Sequence, residues 1–127
     1  ATAPRTPIKQ SGRSQDPRWQ KLKRQVSIRD EGKCQLSGLL TPDDWATIET
    51  EFKREFMMFI DSLDGAHIFP AGSYPEIMYE EWNVVLIGRF FHQRLDMLRH
   101  PVTNKPISSR ERLQWLLYAR DKIWYVL

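Results

Sequence analysis

The run Val84-Val85-Leu86-Ile87 constrains this chain more than any other stretch. Four consecutive apolar residues, three of them β-branched, with Asn83 before and Gly88 after, predict a short buried strand. Directly behind it, Phe90-Phe91-His92-Gln93-Arg94-Leu95-Asp96-Met97 has the spacing of a helix. Upstream, His67-Ile68-Phe69-Pro70 predicts a second extended segment, followed by a loop with Gly72, Ser73 and Pro75 and a helical turn within 76–81. The expected product is two antiparallel strands and a helix, with polar groups converging at one end. On that helix, His92 and Asp96 stand at i and i+4 and share a face. One imidazole and one carboxylate presented together suit a divalent cation. Phe91, Leu95 and Leu98 are expected to pin the helix to the strands.

The flanking segments are expected to brace this unit. Asp16-Pro17 is a helix start, with Asp as cap and Pro at the first helical position. Trp19, Leu22 and Val26 then share one face, and the helix ends before Gly32. Lys33-Cys34-Gln35-Leu36 predicts a short strand running into a turn at Ser37-Gly38. Thr41-Pro42-Asp43-Asp44 opens a second helix. Its apolar stripe of Trp45, Ile48, Phe52, Phe56, Phe59, Ile60 and Leu63 predicts one continuous brace about 30 Å long, ended by Gly65, with Met57 and Met58 filling core. Residues 101–106 predict a tight loop. Ser108 with Glu111 has the capping-box spacing of a last helix, with Leu113, Leu116, Leu117, Tyr118 and Trp124 inward and the final apolar residues packed.

At 127 residues the chain suffices for one domain, with a hydrophobic share of 41% and five tryptophans available for its core. A single Cys34 excludes an internal disulfide and a cysteine-rich zinc knuckle. No run approaches the ~18 apolar residues of a membrane span, and no signal-peptide core opens the chain, so a cytoplasmic setting without a membrane partner is expected. The net charge of +3 is unevenly spread. Residues 1–29 hold eight Lys and Arg against Asp16 alone, which leaves eleven basic and fifteen acidic residues beyond them. Residues 1–16 are expected to be a flexible basic arm, and 17–127 a single domain around 64–98. A basic arm on a mildly acidic body suits a polyanionic partner.

The order His67, Asn83, His92 resembles the HNH nuclease family. Ala66-His67-Ile68-Phe69-Pro70 and Trp82-Asn83-Val84-Val85-Leu86 followed by His92 are close to that family's wording. The stretch from Trp19 to Gly38 is similar to the segments that commonly precede it. The resemblance implies an α+β fold with a ββα-metal core, here braced by the long inserted helix and the C-terminal helix. It also implies hydrolysis of DNA phosphodiester bonds with low sequence specificity. His67 would be the general base, neutral near pH 7, and Asn83 its support. His92 and Asp96 would hold one divalent ion, Mg²⁺ or Mn²⁺ by hardness, with Zn²⁺ or Ni²⁺ as other options. Arg89, Arg94, Lys21 and Arg24 would contact the phosphate backbone. Family members often carry a metal-binding Asp or His just before the base, where this chain has Ala66. Asp64 is the substitute on offer, with helix termination as its other reading. The implied setting is a phage or bacterial nuclease, free or within a larger nucleoprotein complex. Alternatives are an HNH-fold DNA-binding module that has lost efficient catalysis through Ala66, and the nuclease domain of a toxin.

Overall fold

Asp16 caps the first helix as the residues predict. In the computed structural model, which describes residues 15–127, helix α1 spans Pro17–Arg29. The Asp16 carboxylate accepts from the Arg18 backbone N–H at 2.8 Å and from the Tyr79 hydroxyl at 3.0 Å. The basic arm expected over 1–16 therefore lies outside the described residues except at its last two, and Asp16 belongs to the helix. Glu31 and Gly32 then turn through positive φ, at 58° and 64°. Residues 33–36 are not the expected strand. Only Gln35 N–H reaches β-type backbone, the Leu86 carbonyl, while the Cys34 sulfur accepts from the Gly88 and Ser37 N–H groups and curls the chain into a 3₁₀ turn, Ser37–Leu39.

The long brace is two helices. Helix α2, Pro42–Glu51, carries a reciprocal capping box between Thr41 and Asp44. It stops at Phe52, whose φ of −135° leaves the helical region, and α3, Lys53–Met58, resumes. Neither Gly nor Pro marks the break. The Phe52 ring instead lies 4.3 Å from the Arg94 guanidinium, and that tertiary contact coincides with the departure from local helix preference. Beyond the break Met57 and Met58 are exposed rather than core, while Phe56 meets Trp45, Phe90 and Phe91. Gly65 does not end a helix. It lies in strand β1, Leu63–His67, where a Cβ would stand 3.2 Å from both the Trp19 ring and a Val84 methyl. Glycine lets the indole seat on the strand.

Strand β2, Val84–Gly88, pairs antiparallel with β1, with Ala66 opposite Val85 and His67 opposite Val84. The two-residue period divides the core in two. Val84 and Leu86 pack under α1 with Leu22, Val26, Trp19 and Leu63. Ala66, Val85 and Ile87 face the larger cluster built from Ile48, Phe90, Phe91, Leu95 and Leu116. Helix α4, Arg89–Asp96, follows β2 without a loop. Phe91 and Leu95 are buried as expected, whereas Leu98 adopts a positive φ of 56° and turns outward. After the loop at 101–106 comes α5, Ser109–Asp121, with the Ser108 hydroxyl accepting from Glu111 N–H. Lys122 ends it in the left-handed conformation. The last residues are less packed than expected. Ile123, Trp124, Val126 and Leu127 are exposed, and the segment is anchored by Trp124 edges on Trp115 and Tyr118, by Gln114 Nε2 donating to the Tyr125 carbonyl, and by the Tyr125 hydroxyl on Asp121. The whole is a mixed α+β domain with one antiparallel strand pair and five α-helices among the described residues. None of these helices is long and apolar enough to cross a membrane.

Candidate functional site

His67, the last residue of β1, is held by a ring and a carbonyl. Its imidazole stacks on Trp19 with centroids 5.1 Å apart and planes 22° from parallel. Its Nε2 lies 2.9 Å from the Met78 carbonyl oxygen. A carbonyl only accepts, so Nε2 carries the hydrogen, and a neutral ring then has its lone pair on Nδ1. Asn83, fully buried, closes the loop from which that carbonyl comes. Its Oδ1 accepts from Phe69 N–H at 2.7 Å, and its Nδ2 donates to the Phe69 carbonyl at 3.0 Å and the Ile77 carbonyl at 3.4 Å. Such two-ended amide pairing fixes where residues 69–83 leave and rejoin the strands.

His92, on α4, is held by charge. Nδ1 meets Asp64 Oδ2 at 2.9 Å and Nε2 meets Asp96 Oδ2 at 3.0 Å. Asp64 reaches the helix because it shares a strand face with Ala66, two residues along. Arg89 grips the same carboxylate, with Nη2 3.0 Å from Oδ1. Burial works against a charge on His92, but hydrogen bonds to Asp64 and Asp96 outweigh it and lift the imidazole pKa to about 9. Burial likewise works against the Asp64 anion, and the bonds from His92 and Arg89 overcome it, holding that carboxyl down at about 2. Asp96 moves down too, against its burial, through His92 and Arg112.

Arg112 joins the two halves. From the buried stripe of α5 its guanidinium donates to the carbonyls of Ile68 and His67, each at 3.0 Å, and to Asp96 Oδ1 at 2.9 Å. Sequence reading passed over this residue and over the Trp19 platform, which it assigned to core. The signal for Arg112 was present, since it shares a 3.6-residue stripe with Leu116 and Ala119 and a cation on such a stripe needs buried partners. Asp64, His67, Arg89, His92, Asp96 and Arg112 all line one open groove of about 1840 Å³, with Trp19, Lys23 and Arg110 on its walls.

Not every expected residue arrives there. Arg94 does not line the groove. It is 5% exposed, sandwiched between the rings of Phe52 and Phe90 and paired with Glu55 at 2.8 Å, so its assignment to phosphate contact is withdrawn. The cause is its place on α4, two residues past His92 and therefore on another face. Arg89 does line the groove, already paired with Asp64. Lys21 and Arg24 are exposed on α1, outside the groove itself. His100 is a loop fastener: Nδ1 accepts from the Val102 and Thr103 N–H groups, and burial pushes its pKa down. Among the described residues, no group of three or more His, Cys, Asp or Glu side chains is arranged to hold a metal ion. Comparison with family models, curated proteins and solved structures finds no match for this chain.

Proposed function

We propose that this chain is a small endonuclease of the HNH type, built on a ββα-metal core and hydrolysing DNA phosphodiester bonds with one divalent ion. The observation that carries the reading is the shared groove, in which a backbone-oriented imidazole and a histidine–carboxylate cluster lie on consecutive pieces of a strand–loop–strand–helix unit. The donor chemistry suits a hard divalent ion at His92 Nε2 and Asp96. That 3.0 Å contact is an N–H···O bond, so His92 would give up its Nε2 proton on taking the ion. The Asp96 side chain, 48% exposed, keeps lone pairs toward the groove. Asp64, on the opposite ring nitrogen, then orients His92 through Nδ1–H, the usual carboxylate–histidine support of a metal site. It compensates for Ala66 from behind the histidine rather than as a ligand.

An ion held there would supply positive charge to offset that on the phosphate. The protein's own residues do the rest. His67 Nδ1 takes a proton from water, the water oxygen bonds to phosphorus, and the bond to the 3′-oxygen breaks. The stacked Trp19 and the Met78 carbonyl keep that nitrogen aimed. Arg89, Lys23 and Arg110 give the groove its attraction for the phosphate backbone. A phage or bacterial cytoplasmic setting, alone or in a nucleoprotein complex, belongs to this reading. Plasmid nicking with Mg²⁺ or Mn²⁺ tests it against an EDTA control. The wild type is expected to nick, and His67→Ala to lose about 100-fold or more; undiminished nicking by His67→Ala refutes the base. The second reading is a DNA-binding module without catalysis, favoured by the two guanidinium groups that already occupy both carboxylates. Salt-sensitive DNA binding without nicking under any of these metals selects it.

A further inference from the structure

A second, shallower recess runs along α1, bordered by Trp19, Gln20, Lys23, Arg24, Ser27 and Ile28. These positions follow helical spacing and form one face, about 13 Å long from Trp19 to Ile28 at 1.5 Å per residue. Trp19 and Lys23 also line the main groove, so the recess continues the site past the stacked indole. Among the described residues its border holds two cations and no acid, beside the Trp19 edge and Ile28, which is 80% exposed. The chemistry proposed above uses Trp19 and Lys23 of this face but not Arg24, Ser27 or Ile28.

We propose that the recess holds an unpaired single strand flanking the scissile phosphate, so that the preferred substrate carries a single-stranded tail. The inference rests on the nuclease reading for what happens in the main groove. The choice of a single strand over a duplex follows from the mixture of surfaces. A duplex presents phosphates outward and hides its base faces in the stack, so it would use Lys23 and Arg24 and leave Trp19 and Ile28 idle. An unpaired strand offers phosphates to cations and base faces to apolar side chains along the same few ångströms. The length of the face accommodates only a short run of nucleotides, which makes it an extension of the site rather than a separate binding domain.

The test is fluorescence anisotropy of a labelled oligothymidylate and of a blunt duplex of equal length, in EDTA so that no cleavage intervenes. The oligothymidylate is expected to bind more tightly than the duplex. Ile28→Asp should weaken that binding about tenfold, and Arg24→Ala should weaken it while lowering the salt slope by about 0.7, one phosphate contact of a single strand. Both side chains are exposed, so two independent variants with unchanged melting curves guard against misfolding. Arg54→Ala, exposed on α3, serves as the control and should change nothing. Equal binding by wild type, Ile28→Asp and Arg24→Ala, or a preference for the duplex, overturns the proposal. Because binding is read without metal, oligothymidylate binding that responds to these variants upholds the track even if plasmid nicking fails. Nicking without that response removes the track and leaves the nuclease.

Discussion

The two histidines of the groove are restrained by opposite means. Among the described residues, His67 is held by an aromatic face and a backbone carbonyl, groups that orient a ring without adding formal charge. His92 is wedged between two carboxylates that favour its protonated form. A base must keep a lone pair for water, whereas a residue that seats a cation gains from carboxylates beside it. Identical side chains thus take divergent chemistry from their neighbours. The contrast supports a division of labour in which His67 moves a proton and His92 organises charge.

The largest way to break the comparison is to cut the link between the halves. Arg112 touches the His67 carbonyl and Asp96 together. Arg112→Met keeps much of the volume but leaves the carbonyls of His67 and Ile68 and one oxygen of Asp96 without this donor. The expected loss is about 3 kcal/mol, the scale for removing one partner of a buried charged network. Chemical denaturation measures it, and a change below about 1 kcal/mol would show that the halves stand independently.

What the sequence disclosed follows the range of the interaction. Asp16-Pro17, the Thr41–Asp44 box and the β-branched run at 84–87 act within a few residues, and each forms the expected element. The His92–Asp96 pairing is equally local. The break at Phe52 was not legible, because the chain holds no breaker there and the contact with Arg94 comes from α4. Gly65 misled for the same reason: a glycine that ends helices elsewhere is required here by Trp19, forty-six positions earlier. Arg94 was assigned to DNA because its burial depends on Phe52, Glu55 and Phe90, two of which precede it by some forty positions. Asp64 was the open case. The strand Leu63–His67, not expected there, puts it on the Ala66 face, and its meeting with Nδ1 rather than Nε2 is set by how α4 packs on the strand pair.

That edge distinction supplies a smaller test. Asp96→Asn is expected to abolish measurable Mn²⁺ binding, since it removes the anionic donor beside Nε2. Asp64→Asn leaves both proposed donors in place and should weaken binding about 10–100-fold, the range for groups that orient a ligand. Isothermal calorimetry on the two variants sharpens the comparison by separating the atoms that hold an ion from those that hold the histidine. If Asp64→Asn proves the more damaging, the ion belongs on the other edge and the strand carboxylate is the ligand.

The smallest expected effect is a dependence of stability on pH, measured in EDTA so that only protons compete for His92. Its folded pKa of about 9 stands above the ordinary 6.5, so its contribution is complete below pH 6.5 and fades as pH rises through 9. Asp64 works in the other direction. With a folded pKa of about 2 against 3.8, it contributes fully above pH 3.8 and loses that contribution as pH falls through 2. Between pH 4 and 6.5 both contributions are present, and the cluster stabilises the fold most. Raising pH from 6.5 to 9 should therefore lower stability by on the order of 2 kcal/mol, or several degrees in melting temperature. His92→Asn should flatten that decline, because the amide keeps hydrogen-bonding capacity but does not titrate. His67→Asn should leave it in place, since nothing in the decline depends on the other ring. A wild-type melting temperature that stays level from pH 6.5 to 9 would remove the charged half of the comparison and with it the reason to assign the two histidines different work.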